Sequence, residues 1–133
     1  MDASKTKILI IDDEKEFTDL LQMNLRIRGP MQLRVVNHSD EAVEVARQFS
    51  PDVILLDIIM PAPDGCDVLR TLETDPELKE IPIIIVSALV TNDETTGEPH
   101  PMTSGRPVVA KPVKIARLVG AIEDVVGHSL TGH

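Results

Sequence analysis

Five short, largely apolar runs recur along the chain, and most of them stop at a polar residue. Ile8-Leu9-Ile10-Ile11 ends at Asp12-Asp13, and Leu33-Arg34-Val35-Val36, Val53-Ile54-Leu55-Leu56, Ile83-Ile84-Ile85-Val86 and Val108-Val109-Ala110 follow the same grammar. Such runs suit strands covered on both faces, as in a parallel sheet. Between them the apolar spacing becomes helical. Over residues 14–28, Phe17, Leu20, Leu21 and Leu25 mark one face, and Gly29-Pro30 supplies the stop. Ser39 is expected to cap a second helix with Ala42, Val43, Ala46 and Phe49 on one side, ended by Pro51. A third helix is expected from about Asp64 through Val68, Leu69 and Leu72. The last spans 114–126, with Ile115, Leu118, Val119, Ile122, Val125 and Val126 in register.

Strands alternating with helices predict an α/β fold: a doubly wound five-stranded parallel sheet with helices on both faces. Function then belongs in the crevice at the carboxyl ends of the strands. One segment breaks the alternation. Residues 91–107 carry Gly97, Pro99, Pro101, Gly105 and Pro107, a density that does not sustain a full helix. The helix between the fourth and fifth strands is therefore expected to be shortened or replaced by a loop, with partner recognition as its role.

At 133 residues the chain fits one domain, expected over 1–127 with a flexible tail at 128–133. Two Phe and no Trp or Tyr leave an aliphatic core and no platform for stacking bases. A formal charge of −9 repels phosphate backbones and anionic membranes, so neither nucleic acid nor membrane insertion is expected. The lone Cys66 cannot form an intrachain disulfide, and the apolar runs are far too short for a span, which points to the cytoplasm. His38, His100, His128 and His133 are scattered and suggest no metal site.

The strand ends carry the chemistry. The first strand delivers Asp12 and Asp13, the third Asp57, the fourth Ser87 and the fifth Lys111; the second ends in no comparable group. Parallel topology brings these five side chains to one edge. Clustered carboxylates need a cation to balance them, and oxygen ligands in that number suit Mg²⁺. A lysine and a hydroxyl beside them suit phosphoryl transfer, in which charge on three oxygens must be met. Lys111 and the Ser87 hydroxyl with the Ala88 backbone N–H would meet it, leaving an aspartate as a plausible nucleophile.

Taken in order, Ile11-Asp12-Asp13-Glu14, then Asp57 through Met60-Pro61-Ala62-Pro63-Asp64-Gly65, Ser87-Ala88 and Lys111-Pro112 resemble the receiver domains of two-component response regulators. The resemblance runs from Lys7 to about Val126. It implies that Asp57 takes a phosphoryl group from a phosphohistidine on a sensor histidine kinase or histidine phosphotransfer protein, and then switches contacts with a downstream protein. It implies Mg²⁺ on Asp13, Asp57 and the Ile59 main-chain carbonyl, with Asp12 acting through water. Ser87 becomes the switch hydroxyl, Lys111 the phosphate partner, and the Lys111-Pro112 peptide cis. Such a domain catalyses only its own phosphorylation and slow autodephosphorylation.

The chain departs from the pattern at Val108, where receivers usually carry an aromatic switch residue, and at Pro63. Two other readings stand beside this one. A scaffold of receiver fold without phosphorylation is opposed by the complete residue set. A haloacid-dehalogenase-like phosphohydrolase would place a second acid where Ile59 stands. With no effector domain after the last helix, the chain is expected to act alone or to form part of a larger regulator or hybrid kinase. Ile59 and Leu89 would flank the path of a hydrolytic water and exclude it, so dephosphorylation is expected to be slow. Ile59→Asn should speed loss of the phosphoryl group in a decay assay, and an unchanged rate would refute the argument.

Overall fold

The computed structural model describes residues 6–58, 65–88 and 106–127, without the side chains of residues 65 and 66. Five strands, β1 (Thr6–Ile11), β2 (Met31–Val36), β3 (Val53–Leu56), β4 (Ile83–Ser87) and β5 (Val108–Ala110), form one sheet in the order β2-β1-β3-β4-β5. Every pairing is parallel. The chain leaves β1 for β2 on one side and returns to β3 on the other. The topological switch point therefore lies between β1 and β3, the two strands that carry the aspartates.

The sheet divides two cores, and strict alternation along each strand allots residues to them. Ile8 and Ile10 of β1, with Leu55, Ile84 and Val109, pack against Leu21 and Leu25 of α1 (Lys15–Arg28) and Leu118 and Ile122 of α4 (Ile115–Val126). Leu9 and Ile11, with Ile54, Leu56 and Ile85, pack on the other face against Ala42 and Ala46 of α2 (Ala42–Phe49) and Val68 and Leu72 of α3 (Gly65–Thr74). The central strands β3 and β4 are buried at every position, as their unbroken apolar runs require. β2, at an edge, alternates half-buried and exposed residues until Val36. An ion pair between Arg47 and Asp75 ties α2 to the residue following α3.

Three local expectations are corrected. β2 begins at Met31, not Leu33, because its pairing with β1 starts at Thr6. Ser39 does not stand at the N-cap of α2; it opens a 3₁₀ turn, Ser39–Glu41, that leads into the helix. Leu20, placed by spacing on the buried face of α1, is 58% exposed, because Thr18, Leu21 and Leu25 fill that face. Leu20, Met23 and Ile27 instead lie outward. The expected shortening of a helix within 91–107 concerns residues 91–105, which, like the tail at 128–133, fall outside the described residues. Among the described residues no helix is long and apolar enough to cross a membrane.

The two kinds of α1 position should separate in urea denaturation. Leu25→Ala, at 0% exposure, is expected to cost about 2–5 kcal/mol, whereas Ile27→Ala, at 80%, should stay within about 0.5 kcal/mol.

Candidate functional site

The carboxyl edge of the sheet is where side chains of opposite charge meet. Backbone hydrogen bonds that continue the strand ladders hold the site residues in place. The Asp12 N–H donates to the Val36 carbonyl at 3.0 Å, the Asp57 N–H to Ile11 at 3.0 Å, and the Lys111 N–H to Ser87 at 3.1 Å. The carboxylates of Asp12, Asp13 and Asp57 offer oxygens that all lie within 4.8 Å of one another. Asp12 and Asp57 are buried and Asp13 is exposed. The Lys111 ammonium lies 2.8 Å from Asp12 Oδ2 and 3.2 Å from Asp57 Oδ2. Asp13, Glu14, Asp57, Ala88 and Lys111 line an open cavity of about 290 Å³. Ser87 is fully buried beside them at the end of β4, and Lys111-Pro112 is cis. A larger hollow of about 610 Å³ between β5 and α4 has no carboxylate cluster, so size and chemistry do not coincide here.

The family model for the response regulator receiver domain matches this chain over residues 8–123, a span that contains the whole cluster. The chain belongs to that family. Receivers of this kind are phosphoacceptor domains of two-component signalling, and they act through histidine kinases or phosphotransfer partners. Protein PilH of Pseudomonas aeruginosa is 36% identical over 121 residues, covering 90% of this chain and 97% of PilH. The polar-differentiation response regulator DivK of Brucella anthropi is 29% identical over 122 residues, covering 90% of this chain and 95% of DivK. The DNA-binding response regulator MtrA of Mycobacterium tuberculosis is 32% identical over 88 residues, but these make up only 37% of MtrA. Among solved structures, the receiver domain of the Francisella response regulator 1452 superposes with a TM-score of 0.76 at 25% identity, covering 92% of this chain and 98% of that one.

Around the receiver's acidic cluster stand several supports that the motifs alone do not announce. Asp12 Oδ1 accepts the Glu14 N–H at 2.9 Å, which turns the chain from β1 into α1. The Asn37 amide donates to the Asp12 carbonyl at 2.7 Å and to Thr18 Oγ1 at 3.2 Å, tying the end of β2 to the same turn. Asn37 directly follows β2, so the rule that function gathers at strand ends is enough to find it. Glu14 Oε1 lies 2.6 Å from the Lys111 ammonium, and Phe17 sits beneath that ammonium with its ring centroid 4.3 Å away. In sequence Glu14 closes the first motif with no role read for it, and Phe17 looks like an ordinary helix position.

Electrostatics follow from burial. Loss of water raises the Asp12 carboxyl above its ordinary pKa; the Lys111 and Glu14 hydrogen bonds oppose this without cancelling it, and the Asp57 charge adds to it. Burial alone would lower the Lys111 pKa, but its bonds to Asp12 and Glu14 and the charges of Asp12 and Asp57 carry it above the usual lysine value. The receiver thus holds more negative charge than one ammonium balances. Oxygen donors at this separation, with one exposed carboxylate to admit an ion, fit a hard divalent cation such as Mg²⁺. Val108, the position of the usual aromatic, is buried in the core on the α2 and α3 face. Ile59 and Leu89 lie outside the described residues.

Because the Asp12 carboxyl holds its proton more tightly in the folded chain, metal-free stability falls as pH rises from the ordinary carboxylate range through the raised value. Below that range the penalty is absent. Asp12→Asn should therefore raise the melting temperature in chelator at neutral pH, and the gain should vanish in acid. A gain independent of pH would contradict this account.

Proposed function

We propose that Asp57 is the phosphoacceptor of this receiver. The observation that carries the reading is the Asp57 carboxylate, 4% exposed at the end of β3, within 4.8 Å of the Asp12 and Asp13 oxygens and 3.2 Å from the Lys111 ammonium. A carboxylate oxygen attacks phosphorus, the bond from phosphorus to the donor's leaving group breaks, and the leaving group departs with the electron pair. The product is an acyl phosphate whose charge has moved outward from the buried carboxylate to the phosphoryl oxygens. Lys111 meets one of these oxygens, and the Ser87 hydroxyl and Ala88 N–H meet another. Ser87 and Ala88 stand side by side at the end of β4, next to the strand that bears Lys111.

Asp12, Asp13 and Asp57, with the Ile59 main-chain carbonyl, would hold Mg²⁺, which when bound neutralises the carboxylates and the incoming phosphoryl oxygens. The donor is a phosphohistidine on a kinase or phosphotransfer protein, in the cytoplasm. Residues 1–127 form the receiver unit. The switch position Val108 has no ring to rotate, so output uses a movement other than an aromatic rotamer change.

Intact mass after incubation with acetyl phosphate and Mg²⁺ tests the reading. One phosphoryl adduct is expected, dependent on Mg²⁺ and missing in Asp57→Asn. An adduct that persists in the variant would move the acceptor elsewhere.

A further inference from the structure

A lysine ammonium has three hydrogens to donate, and Lys111 directs them at three carboxylates: Asp12 at 2.8 Å, Glu14 at 2.6 Å and Asp57 at 3.2 Å. Its remaining side rests over the Phe17 ring, 4.3 Å from the centroid, where the π face attracts a cation. With its side chain 12% exposed, the ammonium has little room for further partners. It cannot take up a phosphoryl oxygen without releasing one of the three.

The three partners differ in what release would cost. The Asp12 side chain is 3% exposed, so withdrawing the ammonium from it strands a buried charge. Asp57, 4% exposed, likewise keeps its charge until its bond to phosphorus forms, so releasing it earlier carries the same cost on the way to the transition state. Glu14 is 61% exposed, and water replaces whatever Lys111 withdraws. Glu14 also stands outside the carboxylate triad that fits the metal.

We infer that Glu14 is a latch on Lys111. It holds the ammonium at the mouth of the site while Asp57 is unmodified, and it lets go when the phosphoryl group arrives. This rests on Asp57 being the acceptor. Glu14 touches neither reacting atom; it is a positioning residue that acts through Lys111, and Phe17 is the seat on which the ammonium turns. Because the latch opens on the way to the transition state, Glu14 slows phosphorylation. Plain repulsion of an anionic donor by the Glu14 charge would also slow it, so the test must separate reach from charge. Glu14→Gln removes the charge, whereas Glu14→Asp keeps the charge and shortens the reach by one methylene.

Two readouts are needed: phosphorylation rates with acetyl phosphate and Mg²⁺, and the nuclear magnetic resonance signals of the Lys111 Hε protons in metal-free protein. The Phe17 ring current shifts those signals according to where the ammonium sits. In both variants the signals should move, and phosphorylation should quicken by about two- to fivefold, the worth of one exposed ion pair. Glu14→Asp behaving as the unaltered protein would reduce the effect to charge and overturn the latch. Unmoved Lys111 signals, or a rate unchanged or lower in Glu14→Gln, would also overturn it. If the unaltered protein takes up phosphoryl while the variants show no gain, the latch alone falls. If the unaltered protein takes up none, the acceptor reading falls and the latch with it.

Discussion

Three carboxylates crowded within 4.8 Å of one another, against a single ammonium, set the terms for everything at the carboxyl edge of this sheet. Such a group does not assemble for stability. Burial disfavours the charge on Asp12 even with Lys111 in contact, and the folded chain holds the arrangement because the strands leave it no alternative. Asp12 and Asp57 follow β1 and β3, which are hydrogen-bonded neighbours, and their own backbone N–H groups extend the ladders by one further bond each. The two cores that anchor those strands supply the free energy that offsets the repulsion. In this sense the aliphatic interior and the acidic site are one design, since weakening the first loosens the second.

Lys111 shows how one side chain links distant parts of the chain. It arrives from β5, contacts Asp12 beyond β1 and Asp57 beyond β3, and reaches Glu14 and Phe17 at the start of α1. Asn37, beyond β2, bonds to the Asp12 carbonyl and to Thr18, which completes a ring of contacts around the first turn of α1. With the Lys111 N–H bonded to the Ser87 carbonyl at the end of β4, the ends of all five strands are joined by polar contacts.

The receiver fold and the residues that gather at the candidate site are legible in the sequence because both depend on local signals. Unbroken apolar runs identify buried parallel strands, and a polar or charged residue closing such a run must emerge at its end. Asp12, Asp13, Asp57, Ser87 and Lys111 can all be read in that way. What stays hidden depends on three-dimensional neighbours. Glu14 looks like any acid at a helix start, and Phe17 looks like core; only the position of the Lys111 ammonium gives them another part. Leu20 misleads because helical spacing defines a face but not its width, and the narrow contact of α1 with the sheet leaves that leucine outside. β2 begins two residues early because its edge position tolerates the exposed Gln32, which does not look like part of a buried strand.

β5 has only three residues, yet it divides them between both interiors: Val108 and Ala110 face the α2 and α3 side, and Val109 faces the α1 and α4 side. Lys111 is the next residue along. A shift of that ammonium that reached the backbone would pull on a short peg set through the partition between two packed compartments. Neither compartment could absorb such a displacement privately.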